Sequence, residues 1–141
     1  MSITMSNDLP DRDAFFALFE TTGWNEEYGL DADQLNTALQ HSWTSVSAYD
    51  GDRLAGFGRV VSDGILHALI VDLIVWPEYQ GQGIGSNLLR ELLVRCREAG
   101  LRDIQLFCAR GQAGFYEKHG FRTRPEDAPG MQLPSCRIDA G

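Results

Sequence analysis

The chain has no apolar run of 18 residues, so nothing in it reads as a membrane-spanning helix. Met1 to Pro10 lacks the basic start and apolar centre of a secretory signal. A cytosolic address without a membrane partner is the expectation. Basic residues are also scarce: 12 Lys and Arg stand against 20 Asp and Glu, a formal net charge of -8. Nucleic-acid binding needs clustered cations to meet the phosphates, so no nucleic-acid partner is expected, and the acidic balance leans toward a cationic or neutral substrate. Cysteines number three, Cys96, Cys108 and Cys136, odd in count and without metal-ligand spacing. Free thiols and no metal site follow, with Cys96 and Cys108 expected to be buried inside apolar patterns. Repeats, low-complexity tracts and linkers are missing too, and 141 residues suit a single domain over 1–141 with a real core.

What is present is periodic. Phe15, Leu18 and Phe19 fall at helical spacing over residues 11–21 and stop at Gly23, and Leu35 and Leu39 predict a second helix from Asp33 to Gln40, capped by Asp31 or Asp33. From Trp43 the pattern turns to strands. Trp43 to Tyr49 and Arg53 to Val61 flank Asp50-Gly51-Asp52 as a hairpin, and Ser62-Asp63-Gly64 leads into Ile65 to Trp76, apolar enough for a central strand covered on both faces. Ile84, Leu88, Leu89, Leu92, Leu93 and Cys96 then make the clearest helix, which Gly100 stops. Asp103 to Cys108 predicts another strand, Gln112 to His119 a short helix, and Met131 to Ile138 a last strand. A strand, helix, strand succession is a crossover unit, so the strands at 65–76 and 103–108 should be parallel and the hairpin antiparallel. The fold class is a mixed α/β (α+β) sheet flanked by helices.

Between the central strand and the long helix lies Gln80-Gly81-Gln82-Gly83-Ile84-Gly85-Ser86. Alternate glycines strip side chains from a turn at a helix start, where the first N–H groups have no internal partner and the dipole is positive, which suits a phosphate. A P-loop would need a lysine before Ser86, and the position holds Gly85. The dinucleotide fingerprint would need a third glycine where Ser86 stands, and its acidic partner, Asp103, falls at the start of a strand instead of its end.

A third pattern fits. Gln80-x-x-Gly83-x-Gly85 resembles the Q/R-x-x-G-x-G/A signature of the GCN5-related N-acetyltransferase (GNAT) family. Val75-x-Pro77 before it and Phe115-Tyr116-Glu117-Lys118-His119-Gly120-Phe121 after the next strand are similar to that family's context and its Y-x-x-x-G-F segment. The resemblance covers about residues 43 to 138. It implies a mostly antiparallel sheet whose parallel central pair splays at a bulge, acetyl-coenzyme A as cofactor, and direct attack of a small-molecule or peptide amine on the thioester. A non-catalytic acyl-coenzyme A sensor is the alternative, and a homodimer is left open.

By that resemblance, the backbone of Leu73, Ile74 and Val75 pairs with the pantetheine arm, and the amides of Gln80, Gly81, Gln82, Gly83, Ile84, Gly85 and Ser86 hold the pyrophosphate, with Phe115 beside the cofactor. Tyr116 is implied as the acid that protonates the departing thiolate, and the Val75 amide as the oxyanion contact. Asp72, an acid in an apolar strand, is either a base acting through water or a carboxylate satisfied by the preceding hairpin. Many members carry an Asn where this chain has Ala109, with Arg110 or Gln112 as substitutes. Trp24, Glu27 and Tyr28, in a loop of acids and aromatics over 23–29, are candidate acceptor contacts; a solvated loop under a buried Trp24 is the bland reading. His67 is read as structural and His119 as solvated.

Overall fold

Strand formation starts from the hairpin. β2 (Thr44–Asp50) and β3 (Arg53–Ser62) pair antiparallel around a turn in which Gly51 adopts φ +59°, a conformation that suits glycine. β1 (Ile3–Ser6), which the sequence pattern did not reveal, adds to the outer edge of β2. β4 (His67–Val75) pairs antiparallel with β3, and β5 (Asp103–Leu106) lies parallel to β4, so the sheet order is β1-β2-β3-β4-β5. The computed structural model describes residues 2–134. Cys136 and half of the strand expected over Met131 to Ile138 lie outside them, and 131–134 carry no strand.

Two features of β4 and β5 differ from expectation. Ile65 and Leu66 are exposed and precede the strand, because Asp63 accepts their N–H groups at 2.8 and 2.7 Å and holds them in a turn. β5 stops at Leu106, so Cys108 lies beyond the strand and is exposed instead of buried, whereas Cys96 is buried as expected.

The helices cover both faces. On one, α1 (Arg12–Glu20) and α3 (Ala32–Gln40) place Phe15, Leu18, Phe19, Leu35 and Leu39 against Leu54, Phe57 and Ile74 of the sheet. Each such fully buried side chain contributes roughly 1.5–3 kcal/mol. Both helices have aspartate caps: Asp11 accepts from the N–H groups of Asp13 and Ala14, and Asp31 forms a reciprocal capping box with Gln34. Between them, the loop read over 23–29 folds into a short helix, α2 (Asn25–Tyr28), closed by Gly29 at φ +63°. On the other face lies α4 (Ile84–Glu98). It approaches β3 closely because Gly56 and Gly58 have no side chains there: a Cβ would meet Leu88 Cδ1 at 3.0 Å at the first and Leu92 Cδ1 at 3.0 Å at the second.

The chain divides into two compact units, Met1–Leu106 and Phe107–Gly141. The sheet and α1 to α4 belong to the first; α5 (Ala113–Glu117), shorter than the helix expected over Gln112 to His119, belongs to the second. Among the described residues, no helix is long and apolar enough to cross a membrane.

Candidate active site

α4 begins on glycine. Gly83 is its N-cap at φ +84° and provides no side-chain cap, and Gly81 precedes it at φ +79°. A Cβ on either would meet nothing within 4 Å, so these glycines serve backbone conformation and leave open space before the helix. The first intrahelical bond is Asn87 N–H to the Gly83 carbonyl at 3.1 Å, which leaves the amides of Ile84 and Gly85 in the first turn without an intrahelical acceptor.

The turn into α4 is clasped from the β2–β3 hairpin. A 3-10 turn over Pro77–Tyr79 places the Tyr79 hydroxyl 2.5 Å from Asp50, an acceptor that raises the phenol pKa. Arg53 holds both Glu78 oxygens at 3.1 Å, and its guanidinium lies over the rings of Trp76 and Tyr79 at 5.1 and 5.4 Å. Gln80 Nε2 donates to the Val75 carbonyl at 3.1 Å. Its side chain therefore ties the turn to the strand. Sequence reasoning missed the clasp, since Asp50 and Arg53 are far from the glycines in the chain; the signal it could have used was a charged residue at each end of a hairpin turn.

β4 supplies a bulge and an open edge. Its register with β3 runs Arg59↔Val71 and then Phe57↔Ile74, so Asp72 and Leu73 face one residue, Gly58. Asp72 takes φ +55°, the left-handed region, alone among the described non-glycine residues. Pairing with β5 ends at Ile70↔Leu106, which leaves Val71 to Val75 without a ladder partner on that side within the first unit. Trp76 N–H donates to Ala55 of β3 at 2.8 Å, so by strand alternation the peptide groups of Leu73 and Val75 point to the open edge and those of Ile74 point to β3. Of the three residues singled out, Leu73 offers its backbone there and Val75 its N–H, the Val75 carbonyl being taken by Gln80, while Ile74, 5% exposed, fills the core.

Asp72 is engaged. Arg59 Nε lies 2.7 Å from its Oδ2, with side chains only 14% and 20% exposed, so the carboxylate has its partner on the hairpin.

In the second unit, Tyr116 stands edge-on to Phe115 at 5.0 Å and to Phe121 at 6.0 Å. Burial raises the pKa of its phenol, and the nearby Cys108 adds to the rise, so it stays protonated at neutral pH. His119 contacts the Phe115 ring at 5.2 Å and is therefore not simply solvated. Gln112, at the N-cap of α5, donates its backbone N–H to the Ala109 carbonyl at 3.0 Å.

Elsewhere, Trp24 is 36% exposed instead of buried, and Tyr28 is exposed; their rings lie 6.0 and 6.4 Å from Phe19. Glu27 shares α2 with Tyr28. His67 Nδ1 lies 3.1 Å from Asp103 Oδ2 at the start of the parallel pair, away from the glycine turn along β4. No group of three or more His, Cys, Asp or Glu among the described residues could hold a metal.

A bulged strand with an open edge, followed by a glycine turn into a helix without a side-chain cap, defines the class: a mixed-sheet α/β protein with helices on both faces. Comparison with known proteins agrees. The family model described as an acetyltransferase (GNAT) domain matches residues 41–123. An uncharacterized N-acetyltransferase of Porphyra purpurea is 31% identical over 118 residues, 81% of this chain and 66% of that protein. The chloroplastic serotonin N-acetyltransferase 2 of Oryza sativa subsp. japonica is 33% identical over 109 residues, 74% of this chain and 54% of that protein. A GNAT family acetyltransferase structure from Streptococcus pneumoniae TIGR4 superposes with TM-score 0.75 at 31% identity, covering 96% of this chain and 100% of that one. The chain belongs to the GNAT acetyltransferase family, and it spans just under two thirds of the first of these relatives and about half of the second.

Proposed function

We propose that the protein is an acetyl-coenzyme A dependent N-acetyltransferase that acetylates a primary amine by direct attack in a ternary complex. The observation that carries this reading is the junction of β4 and α4, where an open strand edge runs through a clasped turn into amides that no side chain caps. These residues fit the cofactor: the edge peptides of Leu73 and Val75 suit the amides of a pantetheine arm, and the glycine turn suits a pyrophosphate. Bound there, acetyl-coenzyme A would supply an acetyl thioester open to attack by a neutral amine.

The chain's own groups have three tasks. The N–H groups of the α4 start hold negative charge through hydrogen bonds and the helix dipole. The Val75 N–H, facing the open edge, stabilises charge developing on a carbonyl oxygen. Tyr116, held protonated by its buried setting, would give its phenol proton to the thiolate that leaves bound acetyl-coenzyme A, and its phenolate would recover a proton through solvent from the amine as the amide forms.

For the acceptor, the acids and exposed aromatics of α2 favour a cationic amine with an aromatic body. The relative from Oryza named a serotonin N-acetyltransferase supports the same class. Trp24, Glu27 and Tyr28 are its proposed contacts, and the cytosol remains the proposed location. The test is thiol release from acetyl-coenzyme A across a panel of arylalkylamines, polyamines, amino acids and peptide N-termini, beside binding calorimetry. Turnover on an amine supports the reading; saturable binding without turnover on any amine would make the protein an acyl-coenzyme A sensor.

A further inference from the structure

The β4 bulge holds an aspartate in a backbone region that costs any residue with a Cβ, and such conformations persist only where the surroundings over-determine them. What surrounds Asp72 is Arg59. Its Nε meets the carboxylate at 2.7 Å, and both side chains are largely removed from water, so screening is weak. Arg59 is itself anchored, with Nη1 3.4 Å from the Ala38 carbonyl and 3.4 Å from Ser42 Oγ at the carbonyl end of α3, where a helix dipole favours a cation. In the register, Arg59 faces Val71, immediately before the irregularity, so the ion pair spans the point where β4 takes in its extra residue. Beyond that point, the peptides of Leu73 and Val75 face the open edge.

We propose that Arg59 is a positioning residue: through Asp72 it holds the left-handed backbone of the bulge and so sets the edge from Leu73 to Val75 that would hold the cofactor. The functional half of this inference rests on the acetyl-coenzyme A reading above; the backbone half does not. It also gives Asp72 a mechanical role, since a carboxylate committed to a guanidinium is poorly placed to take a proton from an amine.

The test uses the full chain with Arg59→Met, Arg59→Lys, Asp72→Asn and the double variant Arg59→Met/Asp72→Gly. Three quantities are read: the sign of φ at residue 72 from its amide coupling constant and Cα shift, acetyl-coenzyme A affinity by calorimetry, and kcat against KM. Arg59→Met should move residue 72 out of the left-handed region and weaken cofactor affinity roughly tenfold to a hundredfold, the scale of one strained residue. Arg59→Lys, which keeps the charge but loses the Nε donor, should move both readouts the same way by less, and it decides the matter if the Met variant does not fold. Asp72→Asn, which leaves Arg59 a neutral acceptor in place of a carboxylate, should move φ and affinity in the same direction as Arg59→Met but by less, since Asn keeps a hydrogen bond and tolerates positive φ. The double variant should regain affinity to within about threefold of wild type, because glycine takes the conformation without help. A positive φ and full affinity in both Arg59 single variants would overturn the proposal, and so would a double variant as weak as Arg59→Met. A collapse of kcat in Asp72→Asn with affinity intact would return Asp72 to the role of base and overturn it as well. Failure of the acetyl-coenzyme A reading would show differently, as a wild-type protein that does not bind the cofactor, and the sign of φ in the variants would still decide what Arg59 does.

Discussion

α3 and α4 begin in opposite ways. α3, nine residues long, starts on Asp31, whose carboxylate and partner Gln34 close a capping box; α4, the 15-residue helix at the centre of the fold, starts on Gly83 with no side chain to cap it. A cap satisfies orphan amides and stabilises by about 1 kcal/mol. Its absence from the longer helix leaves amides and dipole available to an outside anion, while the packing of Ile84, Leu88, Leu89, Leu92, Leu93 and Cys96 holds the helix without it. One helix start is closed by its own side chains, and the other is left open at its glycines.

The strongest way to break the contrast is to give α4 the cap that α3 has. Gly83→Asp should weaken acetyl-coenzyme A binding by at least about a hundredfold, since a carboxylate would occupy the amides and repel a phosphate, while the far-ultraviolet circular dichroism stays near wild type. Intact affinity would sink the phosphate assignment. Tyr116→Phe leaves both helix starts alone and should lower kcat by roughly a hundredfold with cofactor affinity unchanged. Its pH dependence carries a sign: an acid must be protonated, and burial raises this phenol, so wild-type kcat should hold through neutral pH and fall only above the ordinary phenol value of about 10. An unchanged rate in the Phe variant would remove Tyr116 from the mechanism.

The reciprocal change is Asp31→Ala. It should cost about 1 kcal/mol, seen as a melting temperature lower by a few degrees, without moving cofactor affinity. A loss of affinity there would mean that the two starts are not functionally separate. Least disruptive is Gln80→Ala, which removes one side-chain hydrogen bond to the Val75 carbonyl and should weaken binding by no more than about fivefold, the worth of one neutral bond. A much larger loss would make Gln80 an anion ligand in its own right.

The legible parts of this protein are those written in local pattern. α4 was readable because its apolar positions recur at three and four, and the glycine turn because Gly81, Gly83 and Gly85 alternate within five residues. The hairpin and the parallel crossover followed from the order of turns and periods. β1 escaped because four residues, two half-buried and two exposed, have no period of their own and become a strand only by pairing with β2. Cys108 was misplaced because an alternating pattern does not say where a strand stops. Gln80 matched the motif, but its side chain bonds back to Val75, a contact that depends on how the turn folds.

Asp72 marks the division best. By itself the sequence determined that an acid sits in an apolar strand and needs a partner, that a glycine turn opens a long amphipathic helix, and that an aromatic segment follows the next strand, because charge, period and backbone freedom belong to single residues and near neighbours. Only the tertiary structure decided that Arg59 of the facing strand is the partner, that the pair straddles a one-residue slip, and that β4 loses its parallel neighbour after Ile70. Register is a relation between strands, set by packing across the whole sheet, and no local pattern encodes it.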